Sequence, residues 1–169
     1  MHLKIRRKES SDMIMIELIE RFESFTTAVT KAYKSIQKIK LAETERIGLK
    51  SNYVMYMYYL GKNPEGLTPT ELCKLCIEDK AAVSRTIVNL TEKGFVKPSE
   101  IYSERKYRTK IILTEEGKKI NTELNEAIAI AVSKASKNLN EIERENFYRI
   151  FFNITDNLEM ICNSYLQEK

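Results

Sequence analysis

Glycine and proline are scarce in this chain, five and three among 169 residues. Sheet-rich folds need many turns, so the scarcity favours long helices. Cysteines number three, an odd count that a disulfide framework does not normally use. There is one histidine, His2, so a catalytic or zinc-binding set built on histidine has almost nothing to draw on. Long apolar runs are missing too. The charge-free stretch "SNYVMYMYYLG" is well short of the ~20 residues a spanning helix needs. The early "MIMIELIERF" is broken by Glu17, Glu20 and Arg21, so no export signal forms. Neither a glycine-rich phosphate loop nor a nucleophile motif is present, and the chain is expected to be neither an enzyme nor dependent on a cofactor. It is expected in the cytoplasm, with no membrane partner.

What is present is helical periodicity and concentrated charge. The length suits one domain, and 43% hydrophobic residues are enough for a core. Leu18, Phe22, Phe25, Val29, Ala32, Ile36 and Ile39 alternate steps of four and three, which predicts one long helix starting near Ser11. Phe147, Phe151, Ile154, Leu158, Ile161 and Tyr165 repeat the pattern near the other end, after a helix start at Asn140 and Glu143. A helix with one apolar stripe needs cover. Packing within the chain would supply it, but pairing with a second copy is the reading we favour, because both helices overhang a small middle region.

That middle region is patterned differently. In "LTPTELCKLC", Thr68 can cap a short helix with Pro69 first and Glu71 third. Asp79 can cap a second helix, "KAAVSRTIVNLTEK", stopped by Gly94. Two short helices and a tight turn, residues 68–93, make a helix-turn-helix. "FVKPSEIY" and "YRTKIILT" then read as two strands of a hairpin over 95–114, and Thr114 caps the next helix, whose stripe is Ile120, Leu124, Ile128 and Ala131. Helix-turn-helix followed by hairpin is a winged helix. The expected fold is mainly α: a winged helix-turn-helix over 48–117 with a short β-hairpin wing, a long N-terminal dimerisation helix at 11–47 and C-terminal dimerisation helices at 118–169.

Charge gathers on the hairpin. Between 93 and 110 the basic residues are Lys93, Lys97, Arg105, Lys106, Arg108 and Lys110, opposed only by Glu100 and Glu104. Next to a candidate recognition helix, that is the footprint expected for a duplex phosphate backbone, although a solvated basic loop would look the same in isolation. In the second helix Val83, Ile87 and Leu90 share the apolar face, leaving Ala81, Ser84, Arg85, Val88 and Asn89 opposite. Arg85 can donate a forked pair of hydrogen bonds to guanine, and Asn89 can pair with adenine. The expected DNA-contacting set is Thr70, Lys80, Ala81, Ser84, Arg85, Asn89, Arg105, Lys106 and Arg108. Tyr53, Tyr56 and Met57, within the aromatic stretch 53–59, read first as core and second as an adaptable pocket for a small aromatic effector. Cys73 and Cys76 read as small buried hydrophobes before a thiol switch, and no four-ligand metal site can be assembled with them.

From Leu67 to Ile120 these residues resemble the MarR family of bacterial transcriptional regulators. The capped first helix, "DKAAVSR", "LTEKGFV" and "LTEEG" match in order and spacing, whereas the end helices match only in length and pattern. The resemblance implies a homodimer with interlocked terminal helices that presents two winged helices to a palindromic operator. It also implies a repressor, with a small, often phenolic, ligand releasing the DNA. One departure concerns the wing. The family usually has an aspartate and, two residues on, an arginine that enters the minor groove; here Arg105 and Tyr107 occupy those places. Two other functions stay open: a winged-helix module for RNA or protein without operator specificity, and a small-molecule enzyme on a helical dimer, for which paired polar groups would be needed.

Overall fold

Side-chain caps settle where the two helices of the helix-turn-helix begin, and in a computed structural model of the chain they do so where the sequence places them. The structure describes residues 2–45, 48–99 and 109–167, with side chains in the first helix from 13 onward. In chain order the elements are α1 (His2–Glu45), α2 (Tyr53–Lys62), α3 (Pro69–Cys76), α4 (Lys80–Glu92), β1 (Val96–Pro98), β2 (Ile111–Leu113), α5 (Glu115–Ala135) and α6 (Glu141–Gln167). The winged helix-turn-helix expected from the sequence is thus the fold. Two compact units divide within α5, one ending at Leu124 and the other beginning at Asn125.

In the first unit the core is built around α2. Tyr53, Val54, Tyr56, Met57 and Leu60 of that helix are buried against Leu72 of α3, Val83 and Leu90 of α4, Val96, Ile111 and Leu113 of the strands, and Ile120 and Leu124 of α5. β1 and β2 are antiparallel, Val96 facing Leu113 and Pro98 facing Ile111. Leu67 joins as a single bridge residue: its N–H donates to the Ile111 carbonyl at 3.0 Å, and the Ile111 N–H donates back at 2.8 Å. This approach needs Gly66, whose φ of +83° and lack of a Cβ, which would lie 2.8 Å from the Ile111 carbonyl, no other residue accommodates well.

Two expectations need correcting. The first helix begins at His2 rather than near Ser11. Residues 2–10 contain neither proline nor glycine and include two lysines and two arginines, good helix formers, so the helix continues through Ser11, near which it was expected to start. The strands, expected over 95–102 and 107–114, span three residues each in the described part. Only the base of the wing is described, since residues 100–108 lie outside it.

Along α1 the residues from Met13 to Glu43 include none that is buried. The second unit comprises the rest of α5 and α6. Asn140 caps α6 reciprocally: the Glu143 N–H donates to Asn140 Oδ1 at 3.0 Å, and the Asn140 N–H donates to Glu143 Oε2 at 2.7 Å. Not one residue of α6 is buried, although Phe147 stacks on Phe151 and Tyr148 on Phe152, one helical turn apart. Among the described residues no helix is long and apolar enough to cross a membrane.

Candidate nucleic-acid interface

The helix-turn-helix is set by three local devices. Thr68 and Glu71 form a closed capping box: the Glu71 N–H donates to Thr68 Oγ1 at 3.3 Å, and the Thr68 N–H donates to Glu71 Oε2 at 2.7 Å. Those hydrogen bonds to the carboxylate, with the Thr68 hydroxyl as a further donor, hold Glu71 below the usual carboxylate range. Asp79 caps α4, accepting from the Ala82 N–H at 2.8 Å. Gly94, at φ +74°, turns the chain out of α4 into β1.

Between α3 and α4 the chain has Ile77, Glu78 and Asp79, and here the backbone is unusual. Ile77 lies in the left-handed region, φ 56° and ψ 45°, where a β-branched residue is strained, and its side chain is 91% exposed. The N–H groups of Ile77 and Glu78 both donate to the Cys73 carbonyl, the latter at 3.1 Å. From Glu78 a side-chain bond runs into the core, with the Tyr56 hydroxyl donating to Oε2 at 2.6 Å. The side chain of Thr86 in α4, itself buried, neighbours the same hydroxyl and acts to lower its pKa. Burial and the neighbouring Glu78 carboxylate push the Tyr56 phenol well above its ordinary pKa, so it is a hydrogen-bond donor at any physiological pH. Sequence reading missed Tyr56–Glu78–Thr86. A tyrosine in an apolar run signals a hydroxyl that wants a partner, but not which one, 22 positions away.

The direction in which α4 faces follows from its buried residues. Val83, Thr86 and Leu90 point inward with Ile87 half-buried, and the opposite side presents Lys80, Ala81, Ser84, Arg85 and Val88 to solvent. Ala81 and Val88 occupy the middle of that outward side by helical spacing, with Ser84 and Arg85 flanking them. Asn89 is half-buried, and its Nδ2 donates to the Arg85 carbonyl at 2.7 Å, which lays the amide along the helix. Thr70 is exposed in the first turn of α3. Small residues at the centre of a convex helix face, a guanidinium beside them and a capped, tightly held N-terminus suit insertion into a major groove.

Cations extend this surface toward the wing. Lys93 and Lys97 are exposed at the end of α4 and in β1, and Lys110 is half-exposed at the start of the returning strand. Arg105, Lys106 and Arg108, the expected phosphate-binding residues at the hairpin tip, lie outside the described residues.

Tyr53, Tyr56 and Met57 are core: each is at most 2% exposed. A ligand would reach them only by opening the unit. Cys73 and Cys76 are half-buried and unpaired. Burial, then the charges of Glu78 and Cys73, push the Cys76 thiol up to about 12, so it is protonated at neutral pH and a poor nucleophile. No cluster of His, Cys, Asp and Glu among the described residues could hold a metal ion.

Comparison with known proteins gives this arrangement a context. Residues 47–100 match the model of the MarR family, which covers α2 to the start of the wing. The match takes in the capped first helix, "DKAAVSR" and "LTEKGFV", whereas "LTEEG" lies beyond it. A comparison with curated protein sequences finds no match. Among solved structures, the chain is similar to a putative MarR family transcriptional regulator from Listeria monocytogenes complexed with 26mer DNA, at 18% identity and a TM-score of 0.70, covering 77% of this chain and 85% of that one. A Staphylococcus aureus MepR–DNA complex is similar at 16% identity and 0.71, covering 78% and 96%. A MarR transcriptional regulator from Methanosarcina mazei Go1 is similar at 19% and 0.69, covering 82% and 99%. At these identities the likeness is one of fold.

Proposed function

We propose that this chain, which matches the MarR family over residues 47–100 and shares the fold of that family's solved structures, is a dimeric DNA-binding transcriptional regulator acting as a repressor on a palindromic operator. The observation that carries the reading is the outward side of α4. Lys80, Ala81, Ser84, Arg85 and Val88 lie opposite a buried face that anchors the helix, and Thr70, Lys93 and Lys97 are exposed around it. Two of the structures with this fold hold DNA. In this reading α4 enters the major groove with Arg85 on a base, while Thr70, Lys80 and the wing cations Arg105, Lys106 and Arg108 face phosphates. Dimerisation through α1 and α6 places two such helices about 34 Å apart, one turn of B-DNA, or a multiple of that. A duplex selected from fragmented genomic DNA should then contain an inverted repeat at that spacing and bind far more tightly than a scrambled duplex. Selection of single-stranded RNA, or of duplexes without two-fold symmetry, would favour the alternative of a winged-helix module with another partner.

A further inference from the structure

We propose that the Tyr56 hydroxyl is a positioning group for base reading, a latch that ties the helix-turn-helix turn at Glu78 into the core beneath the recognition helix and so fixes how α4 is presented. The inference rests on the reading that α4 contacts DNA.

Two elements bond through this one oxygen atom, and α4 is buried beside it. Tyr56 comes from α2 and is fully buried, so its hydroxyl cannot trade Glu78 for water without the core opening. Glu78 belongs to the three-residue turn, and its carboxylate is the turn's polar tie into the core at 2.6 Å. Thr86 lies in the middle of α4, on the side turned away from the outward face, and is 3% exposed. The remaining buried contacts of α4, through Val83 and Leu90, are apolar. Apolar packing holds a helix against a surface but does not strongly resist a small rotation or slide along it, whereas hydrogen bonds are directional.

The turn supplies the second half of the argument. Ile77 is held in a left-handed conformation that costs an isoleucine free energy, and its side chain, almost wholly in solvent, makes no packing that would offset the cost. A neighbouring interaction must hold the turn closed, and the adjacent residue, Glu78, carries the bond to Tyr56. Without that bond the turn can relax toward an unstrained conformation, and α4, capped by Asp79 immediately after the turn, moves with it. Contacts of Arg85 and its neighbours to base edges tolerate little misplacement. Phosphate contacts, made by long flexible cations, tolerate much more. Loss of the latch should therefore remove specificity and leave non-specific affinity.

The test uses the full-length protein, a duplex that the wild type selects from a random pool, and a scrambled duplex of the same length and composition. For Tyr56→Phe, affinity for the selected duplex should fall by about tenfold, the effect of one charge-assisted hydrogen bond, while the scrambled duplex and the salt slope stay unchanged. Glu78→Gln keeps an oxygen that can accept from Tyr56, so it should retain most of the discrimination; losing a negative charge should strengthen both duplexes alike. Glu78→Ala should lose discrimination to the same extent as Tyr56→Phe, on top of the charge effect that it shares with Glu78→Gln, and the double variant should discriminate no worse than either single one. Melting temperatures measured alongside separate unfolding from misplacement, and Glu78→Ala carries the test if Tyr56→Phe does not fold. Tyr56→Phe or Glu78→Ala keeping full discrimination overturns the latch, as does either of them losing both duplexes in parallel. A wild type that selects no duplex overturns the DNA reading together with the latch; a wild type that does, with Tyr56→Phe undiminished, overturns the latch alone.

Discussion

Arg85 and Ile77 stand on either side of the Asp79 cap, and each is exposed for a different reason. Arg85 is outward because Val83, Thr86 and Leu90 take the inner side of α4, so its guanidinium is free to approach a base edge. Arg85→Ala should cost about 1–3 kcal/mol on the preferred duplex and blur preference at one position of each half-site. Titration against selected and scrambled duplexes checks this, and equal weakening of both would remove Arg85 from base reading. Ile77 is outward because the turn forces it there. Glycine adopts φ 56° without the steric cost, and no packing would be lost, so Ile77→Gly should raise stability by about 1 kcal/mol after the added freedom of the unfolded chain is counted. Denaturant unfolding measures it; an unchanged or lower midpoint would mean that the turn is not strained as described. Residue identities such as Arg85 were legible because helical spacing alone sorts α4 into two sides. The strain at Ile77 was not, since an isoleucine announces no left-handed turn.

At the scale of elements, caps did most of the placing. Thr68 with Glu71, Asp79, Thr114 and Asn140 with Glu143 each act within three residues, and each starts its helix as the sequence indicates. The junction of wing and α5 shows where local signals end. Thr114 caps α5 by accepting from the Gly117 N–H at 3.0 Å, and its own hydroxyl donates to the Gly94 carbonyl at 2.6 Å. This draws the start of β1 onto the first turn of α5 so closely that a Cβ at Gly117 would collide with the Phe95 carbonyl. Gly117→Ala would ordinarily favour a helix by up to about 1 kcal/mol, yet here it should destabilise by roughly 1–3 kcal/mol or more, because backbone cannot yield as a flexible side chain can. A thermal melt of the variant decides the sign. The motif "LTEEG" made Thr114 legible as a cap; the need for glycine at its end appears only once Phe95 is seen beside it.

For the whole molecule the unmet surface is the dominant fact. Leu18, Phe22, Val29, Ile36 and Ile39 of α1 and Phe147, Ile154, Leu158, Ile161 and Tyr165 of α6 are all exposed on helices with the three–four spacing of a coiled-coil seam. A soluble chain rarely leaves such stripes in water, and a second copy offers the matching ones. Sedimentation at micromolar concentration should show a dimer. Phe151→Asp with Leu158→Asp should give monomers that have lost high-affinity duplex binding; a monomeric wild type would remove the basis for paired half-sites.

By itself the sequence determined what depends on neighbours within a few positions: helix starts, glycine stops, apolar stripes, the order of helix-turn-helix and hairpin, and the outward side of α4. These are encoded locally because a cap, a turn or a helical face is completed within one or two turns of chain. The tertiary structure decided which stripe finds cover and which polar groups meet. Ile120 and Leu124 at the start of α5 are buried, whereas the equally periodic stripes of α1 and α6 are not, and periodicity cannot distinguish the two cases. Tyr56, Glu78 and Thr86 converge because packing α2 under the helix-turn-helix brings a hydroxyl, a carboxylate and a threonine to one point. Such a meeting depends on the relative placement of whole helices, which no window of residues contains.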